Sequence, residues 1–412
     1  MRQSPPPPQS RALRRVLAGE LCSGCGLCAG VSGGAVVMKT VAPGYSRPCQ
    51  LAPLPANAEQ LIASACPGST IAPWHSGGAV RTHPYWGPSL EVATGHAADP
   101  AVRHQASSGG VISALLIAAL EGGLVEAALH IAPDPDAPTR NRLHWSRNRA
   151  EVLAGAGSRY AASSPLGDID AALASGTRFA FVGKPCDVSA MRQLGRHDLR
   201  VGALVPLMLS FFCGGVPSHD GADRIIRAMG LDPADVSAFR YRGHGWPGMA
   251  RADTHQGNSA EMSYAESWGG YLSKQVQFRC KICPDAVGGA ADIAAADAWY
   301  GNASGYPEFD ERDGRSLIMV RTPAGKLLLA QAVARGAITT QALPIREIDR
   351  MQPAQARRKR LVAGRILACA LMLQPWPRMA GLATIKAAWR ATFMEQLRNI
   401  AGTVRRIIIG QR

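Results

Sequence analysis

Three cysteines near the amino terminus have the spacing of an iron-sulfur ligand run. Cys22, Cys25 and Cys28 stand in LCSGCGLC, each two residues from the next. Thiolates at this spacing can wrap one corner of a four-iron cube, because the intervening glycines let backbone N–H groups turn toward the sulfurs, and a fourth ligand can come from far along the chain. Cys66, which precedes proline in ACPG, is the predicted fourth ligand, since Ser32 stands where a two-cluster ferredoxin carries its next cysteine. Zinc is the less favoured alternative, because zinc sites more often pair two Cys-x-x-Cys units.

Four more cysteines are scattered over the middle of the chain: Cys186 in VGKPCD, Cys213 in SFFCGGVPS, and Cys280 and Cys283 in FRCKICPD. The first two follow predicted strands, the place where α/β sheets put their chemistry. Spacing alone supports equally a second cluster site and a pair of buried thiols beside an isolated Cys-x-x-Cys. Cys49 and Cys369 have no partner by spacing and are predicted to be structural thiols.

Composition and charge exclude several classes of protein. The chain has 412 residues, of which 47% are apolar and 18% charged, so it can fill two or three domain cores and is not disordered throughout. Ten cysteines are too sparse for a disulfide-stapled secreted scaffold, and no secretory leader opens the sequence, so a reducing cytosol is predicted. The net charge of +15 is concentrated in residues 345–412, which hold 14 Lys and Arg against 3 Asp and Glu. Without a basic body or a recognition module, nucleic-acid binding is not expected.

The elements that must position these residues divide the chain by composition. Residues 1–19 are predicted to be a disordered Pro-rich leader, 20–72 a small Gly-rich and Cys-bearing module, and 73–90 a linker. Apolar runs in 91–344, such as RFAFV, LVPLMLSFF and SLIMVRT, have the length of buried strands and alternate with helical stretches. This pattern predicts a mixed α/β (α+β or α/β) fold. Residues 345–412 are predicted to form a basic helical tail without a transmembrane span.

An ordered series of motifs carries a family resemblance. It comprises CSGCGLC, ACPG, QASSGGVISALL, GSRYAASSP, VGKPCDVSAMR, FFCGGVPS, CKICPDA and ADIAAADAWYG. From Leu21 to Tyr300 the chain resembles the beta-subunit family of coenzyme F420 hydrogenases and dehydrogenases. Related proteins are 7-hydroxymethyl chlorophyll a reductase and a ferredoxin-dependent divinyl reductase. The departures are Lys184-Pro185-Cys186-Asp187, where many relatives have Thr-Pro-Cys-Gln, and a loose match around Asp297.

The resemblance implies FAD and two 4Fe-4S clusters. It makes residues 20–72 a ferredoxin-like module with ligands Cys22, Cys25, Cys28 and Cys66. It makes 91–344 a flavin-binding domain in which Cys186, Cys213, Cys280 and Cys283 hold a second cluster. Electrons are then expected to pass from a ferredoxin or another redox subunit, through the clusters and the flavin, to a small-molecule acceptor such as coenzyme F420 or another organic compound.

The resemblance also points to a set of flavin-binding residues: Ser107, Ser108, Gly109, Gly110, Ser158, Arg159, Tyr160, Ser163 and Lys184. Small residues and hydroxyls before the helix that starts near Val111 would suit a pyrophosphate, although an ordinary N-cap followed by a tight turn explains them equally from the residues alone. Arg159 is expected to meet a phosphate and Tyr160 to contact a ring. Lys184, with Arg279 and Lys281, is expected to raise the reduction potential of a nearby cluster. Asp187, His244 and Asp285 are the candidate proton donors, chosen because they lie in or near the motif loops.

Two other functions remain open at this point. One is a non-catalytic electron-transfer subunit of a larger dehydrogenase or hydrogenase complex, and the other is a zinc-stabilised interaction protein. The basic tail suits an anionic membrane surface or an acidic redox partner, while packing on the main domain is slightly favoured over both. The expected location is the cytoplasm, with peripheral attachment to the inner face of the membrane as an alternative.

Overall fold

The computed structural model describes residues 10–74, 81–301 and 307–410. Its first part contains helices α1 (Arg11–Ala18), α2 (Leu27–Gly30) and α3 (Ala56–Ala65), and strands β1 (Val36–Val41) and β2 (Tyr45–Gln50). The two strands form an antiparallel hairpin. This part therefore combines short helices and a hairpin around the first cysteines.

Helix α1 corrects the prediction of a disordered leader that extends to residue 19. The Ser10 side chain accepts a hydrogen bond from the Leu13 amide and so caps the first turn. Leu13 and Val16, three residues apart, are buried against Ile62 and the carboxyl-terminal helices. Two apolar side chains on one helix face give this segment a surface to bury, which the composition did not reveal. Residues 1–9, with the proline run, lie outside the described residues.

The predicted linker at 73–90 also contributes to the core. Strands β3 (Arg81–His83) and β4 (Gly87–Ser89) form a short hairpin, and residues 75–80 lie outside the described residues. Between the two strands, Trp86 is fully buried and stacks on Phe212 with ring centroids 5.9 Å apart. Its indole N–H donates to the Asp349 carboxylate at 2.7 Å. The prediction of a linker is thus wrong for Trp86, because its large apolar ring is buried in the protein core and not exposed to solvent.

A large mixed sheet organises the rest of the chain. The strands from residue 91 onward are β5 (Glu91–Ala97), β6 (Ala127–Pro133), β7 (Asn141–Ser146), β8 (Phe179–Val182), β9 (Leu207–Phe211), β10 (Val236–Arg240), β11 (Ala250–Thr254), β12 (Ser259–Met262), β13 (Ile293–Asp297), β14 (Ser316–Val320) and β15 (Ile338–Ala342). Eight of them form one sheet in the order β15-β5-β14-β13-β9-β8-β6-β7, while β10, β11 and β12 form a separate antiparallel sheet. The pairs β13·β9, β9·β8 and β8·β6 are parallel. The mixed α/β fold is thereby confirmed, including strands at the three apolar runs RFAFV, LVPLMLSFF and SLIMVRT.

Helices cover the sheet on both faces. The helices in this region are α4 (Pro100–Gln105), α5 (Val111–Glu121), α6 (Arg149–Ala154), α7 (Ile169–Ala174), α8 (Pro185–Leu194), α9 (Leu199–Leu204), α10 (His219–Ala228), α11 (Phe278–Lys281) and α12 (Pro323–Ala334). Successive side chains of a strand point to opposite faces. Ala180 belongs to a core with α5 and α12, whereas its neighbours Phe179 and Phe181 belong to a second core with α7 and α8. Burial on both faces explains why these strands read as continuous apolar runs.

The chain ends in helices α13 (Ile348–Met351), α14 (Pro353–Leu371), α15 (Thr384–Ala388) and α16 (Phe393–Ile408). Helix α14 contacts both α15 and α16. None of the helices in the described ranges is both long enough and apolar enough to cross a bilayer.

Candidate functional site

The four cysteines of the first predicted group come from two neighbouring segments of the chain. Cys22 and Cys25 lie in the loop that leads into α2, Cys28 lies in α2 itself, and Cys66 directly follows α3. All four are buried. Burial first, and then the neighbouring thiols, raise the pKa of Cys25 and Cys28 well above the usual value and that of Cys66 to about 11. The four thiols are therefore close enough to interact electrostatically.

Two glycines shape this loop. Gly24 and Gly26 have φ angles of +80° and +86°, in the left-handed region that favours glycine. The Gly24 N–H donates to the Cys22 sulfur at 3.4 Å, as expected for an amide turned toward a ligand. A Cβ on Gly26 would lie 2.7 Å from the Gly167 nitrogen. The loop thus needs glycine at position 26 for space as well as for conformation.

The second cysteine group comes from three separate segments. Cys186 lies in the first turn of α8, Cys213 follows β9, and Cys280 and Cys283 belong to α11 and the loop after it. Strands β8 and β9 are parallel neighbours, so the segments after them meet at one edge of the sheet. Burial and then the Cys280 charge raise the pKa of Cys213 to about 12. The structure therefore brings together four thiols that spacing alone could not join.

Among the described residues, no group of three or more His, Cys, Asp or Glu side chains is placed to hold a single metal ion.

Two buried side chains connect the cysteine groups. The Gln277 amide N–H₂ donates to the Ser23 carbonyl at 3.3 Å, inside the first group, and to the Cys280 sulfur at 3.7 Å. Arg279 donates to the Pro67 carbonyl at 3.1 Å and also hydrogen-bonds Cys283. Burial opposes the charge of Arg279, but the cysteines around it keep its pKa above the usual value. A buried cation among thiols is best balanced when those sulfurs are thiolates, as they are when they ligate metal.

The basic tail holds the second group in place. Arg358 on α14 donates to the carbonyls of Cys213 and Gly214 at 2.9 and 2.6 Å, and Gln355 donates to the Cys213 carbonyl at 3.0 Å. Lys359 donates to the Pro284 carbonyl, and Arg365 to that of Lys281. Several cationic side chains of the tail thus donate hydrogen bonds to backbone carbonyls around the cysteines and are not free in solvent. This role was not predicted, because an Arg-rich helix looks the same in sequence whether its cations meet solvent or carbonyls.

A cavity of about 540 Å³ opens beside the second group. Cys213 lines it, together with eight of the nine predicted flavin-binding residues: Ser107, Ser108, Gly110, Ser158, Arg159, Tyr160, Ser163 and Lys184. At the N-terminus of α5, Gly110 has a φ of +75° and no side chain caps the first turn. Residues 110–113 line the cavity, so the uncapped first turn of α5 lies where it could bind an anion.

Two of the predicted flavin-binding residues have other tasks. Gly109 does not line the cavity; its N–H donates to the Ser316 hydroxyl, and a Cβ on it would lie 2.7 Å from the Gly95 carbonyl. Arg159 lines the cavity, but its guanidinium already donates to the Asn141 side chain and to backbone carbonyls of three residues. Arg159 therefore clamps neighbouring loops and has little capacity left for a phosphate.

The three candidate proton donors are placed differently. Asp187 lines the cavity, is buried, and pairs with the Lys184 ammonium at 2.8 Å, which also donates to the Ser163 hydroxyl. Burial raises the pKa of Asp187, while Lys184 opposes that shift. His244 does not line the cavity and packs against His104, with ring centroids 5.8 Å apart. Asp285 also lies off the cavity, and its carboxylate accepts the Val287 and Gly289 amides. His244 and Asp285 were chosen because they lie in or near the motif loops, but neither side chain lines the cavity.

Two profiles of one protein family match this chain. The family is described as "Coenzyme F420 hydrogenase/dehydrogenase, beta subunit"; residues 92–169 match its amino-terminal profile, and residues 176–345 match its carboxyl-terminal profile. The chain belongs to this beta-subunit family. The second cysteine group and most of the cavity lining lie within the matched residues of this family member. The first cysteine group, α14–α16 and the part of the lining at residues 351–358 lie outside them.

Individual relatives are distant. The beta subunit of coenzyme F420 hydrogenase from Methanosarcina barkeri is 24% identical over 64% of this chain and 85% of its own length. The beta subunit of F420-dependent formate dehydrogenase 1 from Methanococcus maripaludis is 27% identical, with 60% of each chain covered. The chloroplastic 7-hydroxymethyl chlorophyll a reductase of Oryza sativa is 22% identical over 54% of this chain and 45% of its own. A chain of the F420-reducing NiFe hydrogenase complex from Methanosarcina barkeri superposes with a TM-score of 0.50 at 22% identity, covering 69% of this chain and 96% of that one. The fold of the beta-subunit family is thereby shown.

One wall of this beta-subunit cavity went unnoticed in the sequence. Arg242 and Asp297 line it and form a two-pronged ion pair at 2.9 and 3.0 Å. The Arg242 guanidinium lies over the rings of Tyr264 and Trp299, at 4.4 and 5.3 Å from their centroids. Trp268 and Phe309 complete the aromatic lining. An aromatic wall around a fixed charge pair suits a flat conjugated ring.

Proposed function

We propose that this chain is an iron-sulfur flavoprotein oxidoreductase. It would take electrons from a ferredoxin or another redox subunit, pass them through two 4Fe-4S clusters to FAD, and reduce an organic acceptor. The comparisons support a redox role at the level of the family, and the relatives include a hydrogenase subunit, a dehydrogenase subunit and a reductase. The cofactors and the acceptor are our proposal from the residues of this chain.

The observation that carries the proposal is the position of Cys213. It belongs to the second four-cysteine group and also lines the cavity with the predicted flavin-binding residues. Gln277 and Arg279 in turn connect that group to the first one. The order of first group, second group and cavity is therefore continuous through the protein.

The proposed cofactors divide the chemistry, since clusters carry single electrons and a flavin exchanges either one or two. The protein supplies the environment. Gly24 and Val216 donate N–H groups to cysteine sulfurs, which disperses negative charge on them. Ser107, whose hydroxyl accepts from Ser158, and the open first turn of α5 offer donors for a pyrophosphate. Among the three candidate acids, we retain Asp187 as the proton donor on the ground of position, because it alone lines the cavity.

An electron-transfer subunit without a substrate site of its own is the second candidate. It is favoured by the structural neighbour, which comes from a hydrogenase complex. The aromatic wall of the cavity favours an acceptor bound in this chain instead. The two functions differ in whether the isolated chain, once reduced, is reoxidised by a small organic acceptor.

Anaerobic purification with iron, sulfide and flavin analysis tests the proposal. Two cubes predict about eight irons per chain, and Cys66→Ser and Cys213→Ser are each expected to remove about half of them. Cys49→Ser is the matched control, because Cys49 lies on β2 outside both groups and should leave the iron content unchanged. A colourless protein that contains zinc and releases no flavin on denaturation would overturn the proposal in favour of a zinc-stabilised interaction protein.

A further inference from the structure

The carboxyl-terminal helices expose large apolar side chains to solvent. Trp389 and Phe393 are 84% and 77% exposed, and Ile385, Met394 and Leu397 are exposed as well. These five residues lie within one stretch of thirteen, from α15 into the first turns of α16. We call them, with the cations described next, the apolar-cationic surface. Exposed aromatic and aliphatic side chains concentrated in this way indicate a contact site and not ordinary surface variation.

Helix α16 turns its polar face inward. Gln396 donates to the carbonyls of Arg360 and Ala388, and Asn399 accepts from Arg365. Thr403 and Ile407 are buried on the same side. The opposite, exposed positions recur every three or four residues, as expected for one helix face: 393, 394, 397, 398, 401, 405 and 408. The apolar residues of this face are therefore not used by the protein's own core.

The charge on this surface has a single sign. Lys386, Arg398 and Arg405 are exposed and form no ion pair within the described part of the chain. Between residues 384 and 410 the sequence has one acid, Glu395. Its carboxylate accepts the amide and hydroxyl of Thr392 at the start of α16 and is thus engaged in capping the helix. The surface consequently presents cations next to apolar side chains, without competing acids.

We infer that the apolar-cationic surface binds the surface of a lipid bilayer that contains anionic headgroups. Trp, Phe, Leu and Ile side chains can enter the boundary between headgroups and acyl chains, while neighbouring Lys and Arg side chains meet the negative headgroups. A protein partner would need a negative patch matched in shape to this surface, whereas a bilayer that contains anionic lipid offers one sign of charge over a wide area. The contact is peripheral, and it does not depend on the proposed redox chemistry.

The holoprotein's sedimentation with lipid vesicles tests this inference. The protein is expected to pellet with vesicles of phosphatidylglycerol and phosphatidylcholine and to stay in solution with vesicles of phosphatidylcholine alone. Replacing Lys386 and Arg398 by Gln should weaken binding about fivefold per cation, and added salt should have a similar effect. Replacing Trp389 and Phe393 by Ala should weaken it about tenfold or more, because two aromatic side chains no longer leave water.

A matched control lies on α12, where Lys326 and Leu327 are both exposed. The double variant Lys326→Gln, Leu327→Ser should bind vesicles as the wild type does. Equal pelleting with both kinds of vesicle, or an effect of the control as large as that of Trp389→Ala, would overturn the inference. So would a wild-type dimer in analytical ultracentrifugation that ignores vesicles and becomes monomeric in the Trp389→Ala, Phe393→Ala variant, since the surface would then join two copies of the chain.

Discussion

Replacing Asp297 by Asn should destabilise the folded protein, because the carboxylate of Asp297 neutralises a buried arginine. The Asp297 carboxylate accepts hydrogen bonds from both terminal nitrogens of Arg242. It also accepts one from the indole N–H of Trp246, at 2.7 Å. Arg242 is 2% exposed, whereas Asp297 is 17% exposed. Burial opposes the charge of Arg242, and Asp297 keeps its pKa above the usual value despite this burial. Asn has the same shape but carries no charge, so a buried guanidinium would remain without its counter-ion.

The expected cost is about 3 kcal/mol, the lower end of the 3–5 kcal/mol typical for breaking a buried ion pair, because Asp297 keeps some contact with water. Urea unfolding followed by tryptophan fluorescence measures it, since Trp246 and Trp299 both lie at the pair. Asp253→Asn is the matched control: Asp253 pairs with Arg251 by the same chemistry, but both side chains are 38% exposed. It should cost less than about 1 kcal/mol.

Equal losses in the two variants, within about 0.5 kcal/mol, would refute the reasoning, because burial would then not decide the value of the pair. A second variant tests whether the unpaired Arg242 charge causes the loss of stability. Adding Arg242→Met to Asp297→Asn removes the stranded cation, so part of the lost free energy of unfolding should return. A further loss would contradict the assignment of the cost to an unpaired charge.

Three other outcomes are expected. Burial lowers the pKa of His130 below 6.5, so the unfolded state binds a proton more readily than the folded state does. The free energy of unfolding should therefore fall as the pH drops below about 6.5. The accompanying decrease in the urea midpoint should be smaller in His130→Gln. Gly26→Ala should lower the iron content by about half. Gly33 also has a positive φ, +60°, but has open space around it, so Gly33→Ala should keep the full iron content. Similar iron contents in the two variants would contradict the steric explanation. Arg358→Gln removes two donors from the loop after β9 and should also cost about half of the iron, while Arg357→Gln, on the exposed side of α14, should not. Full iron in the Arg358 variant would show that this anchor is dispensable.

The sequence revealed the local features of the site and missed the long-range ones. The grouping of Cys22, Cys25 and Cys28 could be predicted because the three residues stand close together in the sequence. The second cysteine group could not be predicted in this way, since its members meet only through the order of parallel strands, and the family resemblance supplied what spacing left undecided. Arg242 gave no signal, because an arginine in a Gly-rich loop looks exposed until its partner 55 residues away is known.

Position along the chain was the weakest guide to the cavity. His244 and Asp285 belong to motif loops, yet their side chains are turned toward other parts of the protein. Arg159 lines the cavity, but its guanidinium already donates to neighbouring backbone carbonyls. A residue's loop can be predicted from sequence patterns, whereas the direction and prior engagement of its side chain depend on packing.

The anchoring of the second cysteine group by α14 has a consequence for folding during synthesis on the ribosome. Arg358, Lys359 and Arg365 are translated after all four cysteines of that group and still have to leave the exit tunnel before they can fasten its loops. The loops of the second cysteine group can therefore be anchored only after α14 has been synthesised. A transcript truncated before α14 would yield a chain with every cysteine of both groups but without the side chains that anchor the loops of the second group.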